Sequence, residues 1–211
     1  MVNPARTAQY EARMAGRRIA LRDRLHTLLP ANARFVWELG CGHGHFLTAY
    51  AEAHPERLCV GIDLVGERVD RANRKRDRAK LANLHFIQAE ARLFLEELPA
   101  STRFEDVFVL FPDPWPKLRH RKHRIMQPDF LAAVARRAGP ATRLCFRTDF
   151  APYFEDARAT VSAHADWQLV EAPWPFEHET VFQSRAPSFQ SLIARPNAGR
   201  HKLAAGENAS G

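Results

Sequence analysis

The residues with the clearest chemical potential lie together in Leu110-Phe111-Pro112-Asp113-Pro114-Trp115-Pro116-Lys117, followed at once by the basic run Leu118-Arg119-His120-Arg121-Lys122-His123-Arg124. Proline fixes its own φ and pushes the residue before it towards an extended conformation, so three prolines predict a stiff backbone that presents Asp113. A single carboxylate can accept from N1–H and the N2 amino group of guanine, while N7 keeps a lone pair for attack on an alkyl donor. Alkylation there leaves the ring positively charged, and a nearby carboxylate stabilises that charge as it develops. Asp113 is thus the catalytic candidate. Trp115 offers a face for base stacking, and Lys117, Arg119, Arg121, Lys122 and Arg124 offer contacts to phosphates. The competing reading is a rigid connector with a solvated basic face.

A second constellation precedes it. Glu38-Leu39-Gly40-Cys41-Gly42-His43-Gly44 follows an apolar run and places alternating glycines behind an acid. Glycine permits a tight turn and close approach of backbone to ligand. The spacing differs from the G-x-G-x-x-G that cradles a dinucleotide pyrophosphate, which disfavours a nicotinamide-dependent oxidoreductase. A ligand without phosphate but with positive charges, S-adenosylmethionine, suits an acidic loop better. Asp63 closes the next apolar run, where a carboxylate can accept from two ribose hydroxyls, and Glu90 follows the third, where it can approach the adenine edge. Glu38, Gly40, Gly42, Gly44, Asp63 and Glu90 are therefore expected cofactor-binding residues, and Asp113 joins them because ligands of a doubly wound sheet bind outside the carboxyl ends of its strands, where cofactor and target base converge. His43 with His45, and His120 with His123, lack Cys or acidic partners at ligand spacing, and no metal is expected.

Positioning these loops requires a particular frame. Apolar runs at 35–39, 58–63, 84–89, 106–111 and 142–148 alternate with helical patterns, which implies parallel strands joined by crossover helices. Two further strands are expected at 167–172 and 188–195, too closely connected for a crossover helix and so antiparallel. The expectation is an α/β fold: a doubly wound, mostly parallel seven-stranded sheet of the Rossmann-like methyltransferase class with an antiparallel last strand. Residues 1–30 read as a basic helical extension, 31–195 as the S-adenosylmethionine-dependent methyltransferase domain, and 196–211 as a polar tail expected to be disordered.

Composition narrows the partners. Lys plus Arg outnumber Asp plus Glu by 31 to 24 in 211 residues, which points to a polyanion, either nucleic acid or an anionic membrane surface. No apolar run has the length of a membrane span, and the expected setting is the cytoplasm. Cys41, Cys59 and Cys145 sit in or beside apolar runs and read as reduced core residues. Arg68, Arg71, Arg74, Lys75 and Arg78 recur at helical spacing; a phosphate-binding face and an ordinary solvated face both fit them.

The run FPDPWPKLRHRKHR, with ELGCGHG, GIDLV, the QAEA acid and RTDFAPYFE, resembles the bacterial tRNA (guanine-N7)-methyltransferase family over roughly residues 30 to 195. That resemblance implies S-adenosylmethionine as cofactor, no metal, tRNA as partner and N7 of a guanosine in the variable loop as target, with monomer and homodimer both open. It also implies that Lys117, Asp149 and the segment Thr180-Val181-Phe182-Gln183 meet the guanosine. Here the family's usual Thr-Lys-Phe-Glu has lost one charge of each sign, a change on the scale of about 1–3 kcal/mol for a charged hydrogen-bond partner. The alternatives are a related methyltransferase with another RNA or small-molecule substrate, and a tRNA-binding homologue without turnover.

Overall fold

Among the described residues seven strands make one sheet: β1 (Arg34–Leu39), β2 (Leu58–Asp63), β3 (Leu84–Gln88), β4 (Arg103–Leu110), β5 (Ala138–Thr148), β6 (Trp167–Val170) and β7 (Gln190–Pro196). The computed structural model describes residues 4–179, 183–186 and 188–198. Strand order is β3-β2-β1-β4-β5-β7-β6. The first five strands are parallel, and β7 inserts antiparallel between β5 and β6. The expected class, with its antiparallel last strand, is the one observed. From β1 the chain winds out to β3 and returns beyond β1 to β4, so the order reverses between these two strands. Loops at the carboxyl ends of such a pair splay apart and leave a crevice for ligands.

Helices cover both faces: α1 (Pro4–Leu28), α2 (His45–Ala53), α3 (Gly66–Ala79), α4 (Ala91–Glu97), α5 (Pro128–Ala135) and α6 (Ala151–Ala163). One core joins α1, α4, α5 and α6 to the sheet through Leu25, Phe94, Phe130 and Tyr153; the other joins α2 and α3 through Phe46, Tyr50, Val69 and Ala72. The Arg-rich α1 buries Leu21 and Leu25 and reaches α4 through Arg18 and Arg22, each 2.6 Å from the Glu97 carboxylate. The tail expected to be disordered from residue 196 begins ordered: Pro196 ends β7, and the Asn197 side-chain amide donates to Ala165 O at 2.6 Å and Trp167 O at 3.2 Å. Residues 199–211 lie outside the described residues.

Two strands begin more than one residue earlier than the sequence pattern predicts, β4 at Arg103 and β5 at Ala138. Gly139-Pro140 reads as a strand breaker, yet Ala138 pairs with Phe104 and the register then shifts before Asp106 pairs with Arg143. The Thr142 hydroxyl spans that irregularity, accepting from Gly139 N–H at 2.8 Å and donating to Phe104 O at 2.6 Å. A bulge tolerates a proline that a regular ladder excludes.

Candidate cofactor and substrate site

All three glycines after β1 have left-handed backbones, with φ of 72° at Gly40, 53° at Gly42 and 68° at Gly44. Their reasons differ. A Cβ at Gly40 or Gly42 would meet nothing within 4 Å, whereas one at Gly44 would lie 2.5 Å from Phe86 Cζ. Gly44 lets α2 begin against β3; Gly40 and Gly42 leave open space beside the backbone for a ligand.

Glu38, next to last in β1, has 4% of its surface exposed. Burial pushes its carboxyl up to about 8, with the neighbouring Asp63 charge adding to the rise and the Leu47 backbone amide opposing it. Its Oε2 is buried and has no hydrogen-bond partner among the described residues. Such an atom is costly unless a ligand donor satisfies it, and a cationic amino group beside the open glycines has the right chemistry. Asp63 is also buried, but both its oxygens are engaged: Oδ2 accepts from Gly42 N–H at 3.0 Å and Oδ1 from Val65 N–H at 2.8 Å. The carboxylate therefore fixes the β1 and β2 loops to each other, and ribose hydroxyls would share oxygens that already accept. Glu90 is exposed and caps α4 by accepting from Leu93 N–H at 2.9 Å. These groups fit an uncharged-sugar, cationic cofactor at the carboxyl ends of β1, β2 and β3.

After β4, Asp113 is exposed and makes no hydrogen bond or ion pair among the described residues. The prolines do not leave every predecessor extended: Phe111 has φ of 46° and Trp115 φ of 43°. For bulky side chains that conformation is strained, by about 1–3 kcal/mol each, and persists only where surroundings impose it. Phe111 N–H donates to Arg147 O at 2.8 Å, and Trp115 packs its ring 5.1 Å from that of His123. The main constraint is Arg124. Expected among the phosphate contacts, it is instead 2% exposed. It donates to Pro114 O at 2.9 Å, Trp115 O at 3.4 Å and Pro152 O at 3.2 Å, pairs with Asp156 of α6, and lies 4.9 Å over the Tyr153 ring. Lys117, Arg119 and Lys122 remain exposed, and Arg121 is exposed while lying 3.5 Å from Asp156.

Asp149, exposed, follows the last residue of β5. Two places before it stands a residue that motif reading missed. Arg147, 4% exposed, is stacked between the rings of Trp174 (4.1 Å) and Phe189 (4.5 Å). Its guanidinium donates to both oxygens of Glu177, at 2.9 and 3.0 Å, and to Gln183 Oε1 at 3.3 Å. The arginine beside it holds the Glu177 carboxyl below its usual range. Gln183 thus acts as an acceptor towards Arg147. Thr180, Val181 and Phe182 lie outside the described residues. An arginine inside an apolar strand is a visible anomaly, but nothing in spacing identifies Glu177 as its partner.

A family model described as a putative methyltransferase matches residues 32–188. Similar curated proteins include the tRNA (guanine-N(7)-)-methyltransferase of Thermosynechococcus vestitus, 32% identical over 67% of this chain and 70% of the relative. The protein of the same name from Caulobacter vibrioides is 35% identical over 68% of this chain. The match spans 63% of that second relative, less than two thirds of its length. Among solved structures, NSun6 from Pyrococcus horikoshii with SFG is similar in fold, with TM-score 0.59 at 15% identity over 83% of this chain and 50% of that one.

Proposed function

The chain belongs to the tRNA (guanine-N7)-methyltransferase family, and from that premise we propose that it methylates N7 of a guanosine in the variable loop of tRNA. The observation carrying this reading is an exposed Asp113 on a backbone locked by buried Arg124, next to the switch point between β1 and β4. Glu38, with its unpartnered oxygen, would accept from the cofactor's amino group beside Gly40 and Gly42. Asp63 would accept from the ribose hydroxyls, and Glu90 would face the adenine edge. S-adenosylmethionine, when bound, supplies a methyl carbon on a cationic sulfur that departs as a neutral thioether.

Asp113 accepts from N1–H and the N2 amino group of guanine, which orients N7 and offsets the charge the ring gains as the new N–C bond forms. N7 carries no proton, so no general base is needed at that atom. Trp115 stacks the base or its neighbour, while Lys117, Arg119, Arg121 and Lys122 contact phosphates. Asp149 and the Thr180 to Gln183 segment complete the guanosine pocket, with Gln183 giving one acceptor to Arg147. Replacing Asp113 by Ala tests the assignment: methyl transfer to unmodified tRNA should be lost while cofactor affinity changes little. Undiminished transfer would remove Asp113 from the mechanism.

A further inference from the structure

The basic stripe on α3 forms one wall of a groove of about 360 Å³ lined by His43, His45, Arg71, Arg74, Lys75 and Arg78. Every side chain lining it carries nitrogen donors or a titratable ring, and none is a carboxylate. Arg71, Arg74 and Arg78 make no ion pair among the described residues, although elsewhere the same helix pairs Arg76 with Asp77 at 2.6 Å. Lys75 Nζ donates to His43 O at 3.0 Å and so ties this wall to the glycine loop. The cations act on one another: beyond burial, Arg78 lowers Lys75, and Lys75 with His43 and His178 lowers His45. Like charges gathered this closely repel until an anion separates them.

We infer that this groove binds the phosphodiester backbone of the RNA substrate, as a second contact surface apart from the 117–122 run. This rests on the RNA reading above. The cofactor proposed there has no phosphate, so the groove is not an extension of its pocket. Arg71 to Arg78 rise about 10 Å along the helix, room for about three phosphates of one strand. The helix α3 belongs to the core shared with α2, whereas Arg124, which ends the other run, packs on α6 in the opposite core. The two basic surfaces therefore flank the sheet from opposite faces. An RNA with its guanosine at Asp113 would be gripped on both sides of the carboxyl edge.

The test is tRNA binding by the full chain across a salt series, for wild type, a triple variant Arg71→Ala, Arg74→Ala, Arg78→Ala, and the matching triple Lys variant. Losing three phosphate contacts should lower the slope of log Kd against log salt by about 2 to 3 and raise Kd at least about tenfold at moderate salt. The Lys variant should keep most of the slope. In methyl-transfer assays KM for tRNA should rise with kcat and cofactor affinity unchanged. Unaltered Kd and slope in the Ala variant would overturn the inference. So would a loss confined to inorganic phosphate or a mononucleotide, measured by thermal shift, since that would mark a small-anion site. Binding is read without turnover, so a salt-sensitive groove in a chain that transfers no methyl would uphold this surface and sink the reaction.

Discussion

Arg124 Nε donates to the Pro114 carbonyl at 2.9 Å, so a guanidinium almost wholly withdrawn from solvent fixes the Pro114–Trp115 peptide just beyond Asp113. The same side chain pairs with Asp156, which couples the loop to α6. Replacing Arg124 by Ala leaves several carbonyls and a carboxylate without their donor. A loss of about 2–4 kcal/mol of stability is expected, on the scale of breaking a buried charged network. Methyl transfer should fall more than cofactor affinity, because the strained Phe111 and Trp115 backbones are then free to relax. Denaturant midpoints with transfer assays on the remaining folded protein check this; a stable, fully active variant would contradict it.

If Glu38 receives the cofactor's amino group as proposed, cofactor binding should depend on pH. Its carboxyl is raised from the usual 4.5 to about 8, so burial favours the protonated form and the group destabilises the unliganded fold progressively as pH rises between those values. A cationic ligand binds the ionised form, so its affinity should climb by up to about tenfold per pH unit towards pH 8 and then level off. Proton release on binding, measured by calorimetry in buffers of different ionisation enthalpy, checks the sign. Glu38→Gln should bind weakly at every pH and release no proton. A wild type with flat affinity from pH 6 to 8 is the contrary result.

The two kinds of glycine should separate by mutation. Gly44→Ala meets Phe86 and a left-handed backbone together, and should cost about 2–4 kcal/mol of stability. Gly40→Ala faces open space, so strain alone should cost about 1–2 kcal/mol. The loss at Gly40 should appear chiefly as weaker cofactor binding. Equal destabilisation by both would mean that Gly40 is packed as tightly as Gly44.

Much of the frame could be read from residue order. Alternation of apolar runs with helical spacing marks β1 to β5, because strands buried on both faces have to be continuously apolar; β6 and β7, less buried, were legible instead through the short stretch that joins them. The glycine loop and the proline-rich loop were legible because their residue types are backbone instructions. What escaped were relationships between distant residues. Arg124 belongs by sequence to a basic run, and only the approach of α6, with Asp156, draws it inside. Arg147 and Glu177 are brought together by β7 inserting beside β5, which no local pattern encodes. Gly139-Pro140, a pair that favours turns, sits inside β5 because the register shift before Arg143 accommodates it.

Arg147 should act by positioning. Arg147→Ala removes both bonds to Glu177 and the one to Gln183, and should raise KM for tRNA with little change in cofactor affinity. Arg147→Lys should rescue poorly, since one ammonium cannot reproduce a fork stacked between two rings. Because the arginine depresses Glu177, this link is present at neutral pH and lost only as pH falls through the lowered carboxylate value. A KM for tRNA unchanged in the Ala variant would detach Arg147 from substrate binding.

The most direct measurement is transfer of a labelled methyl group from S-adenosylmethionine to unmodified tRNA, with nucleoside analysis of the product, for wild type and Asp113→Asn. Label in 7-methylguanosine for wild type, and its fall by at least about a hundredfold in the variant, is the predicted result. Label in any other nucleoside, no label from a protein that binds both cofactor and tRNA, or an Asn variant as fast as wild type would contradict the account.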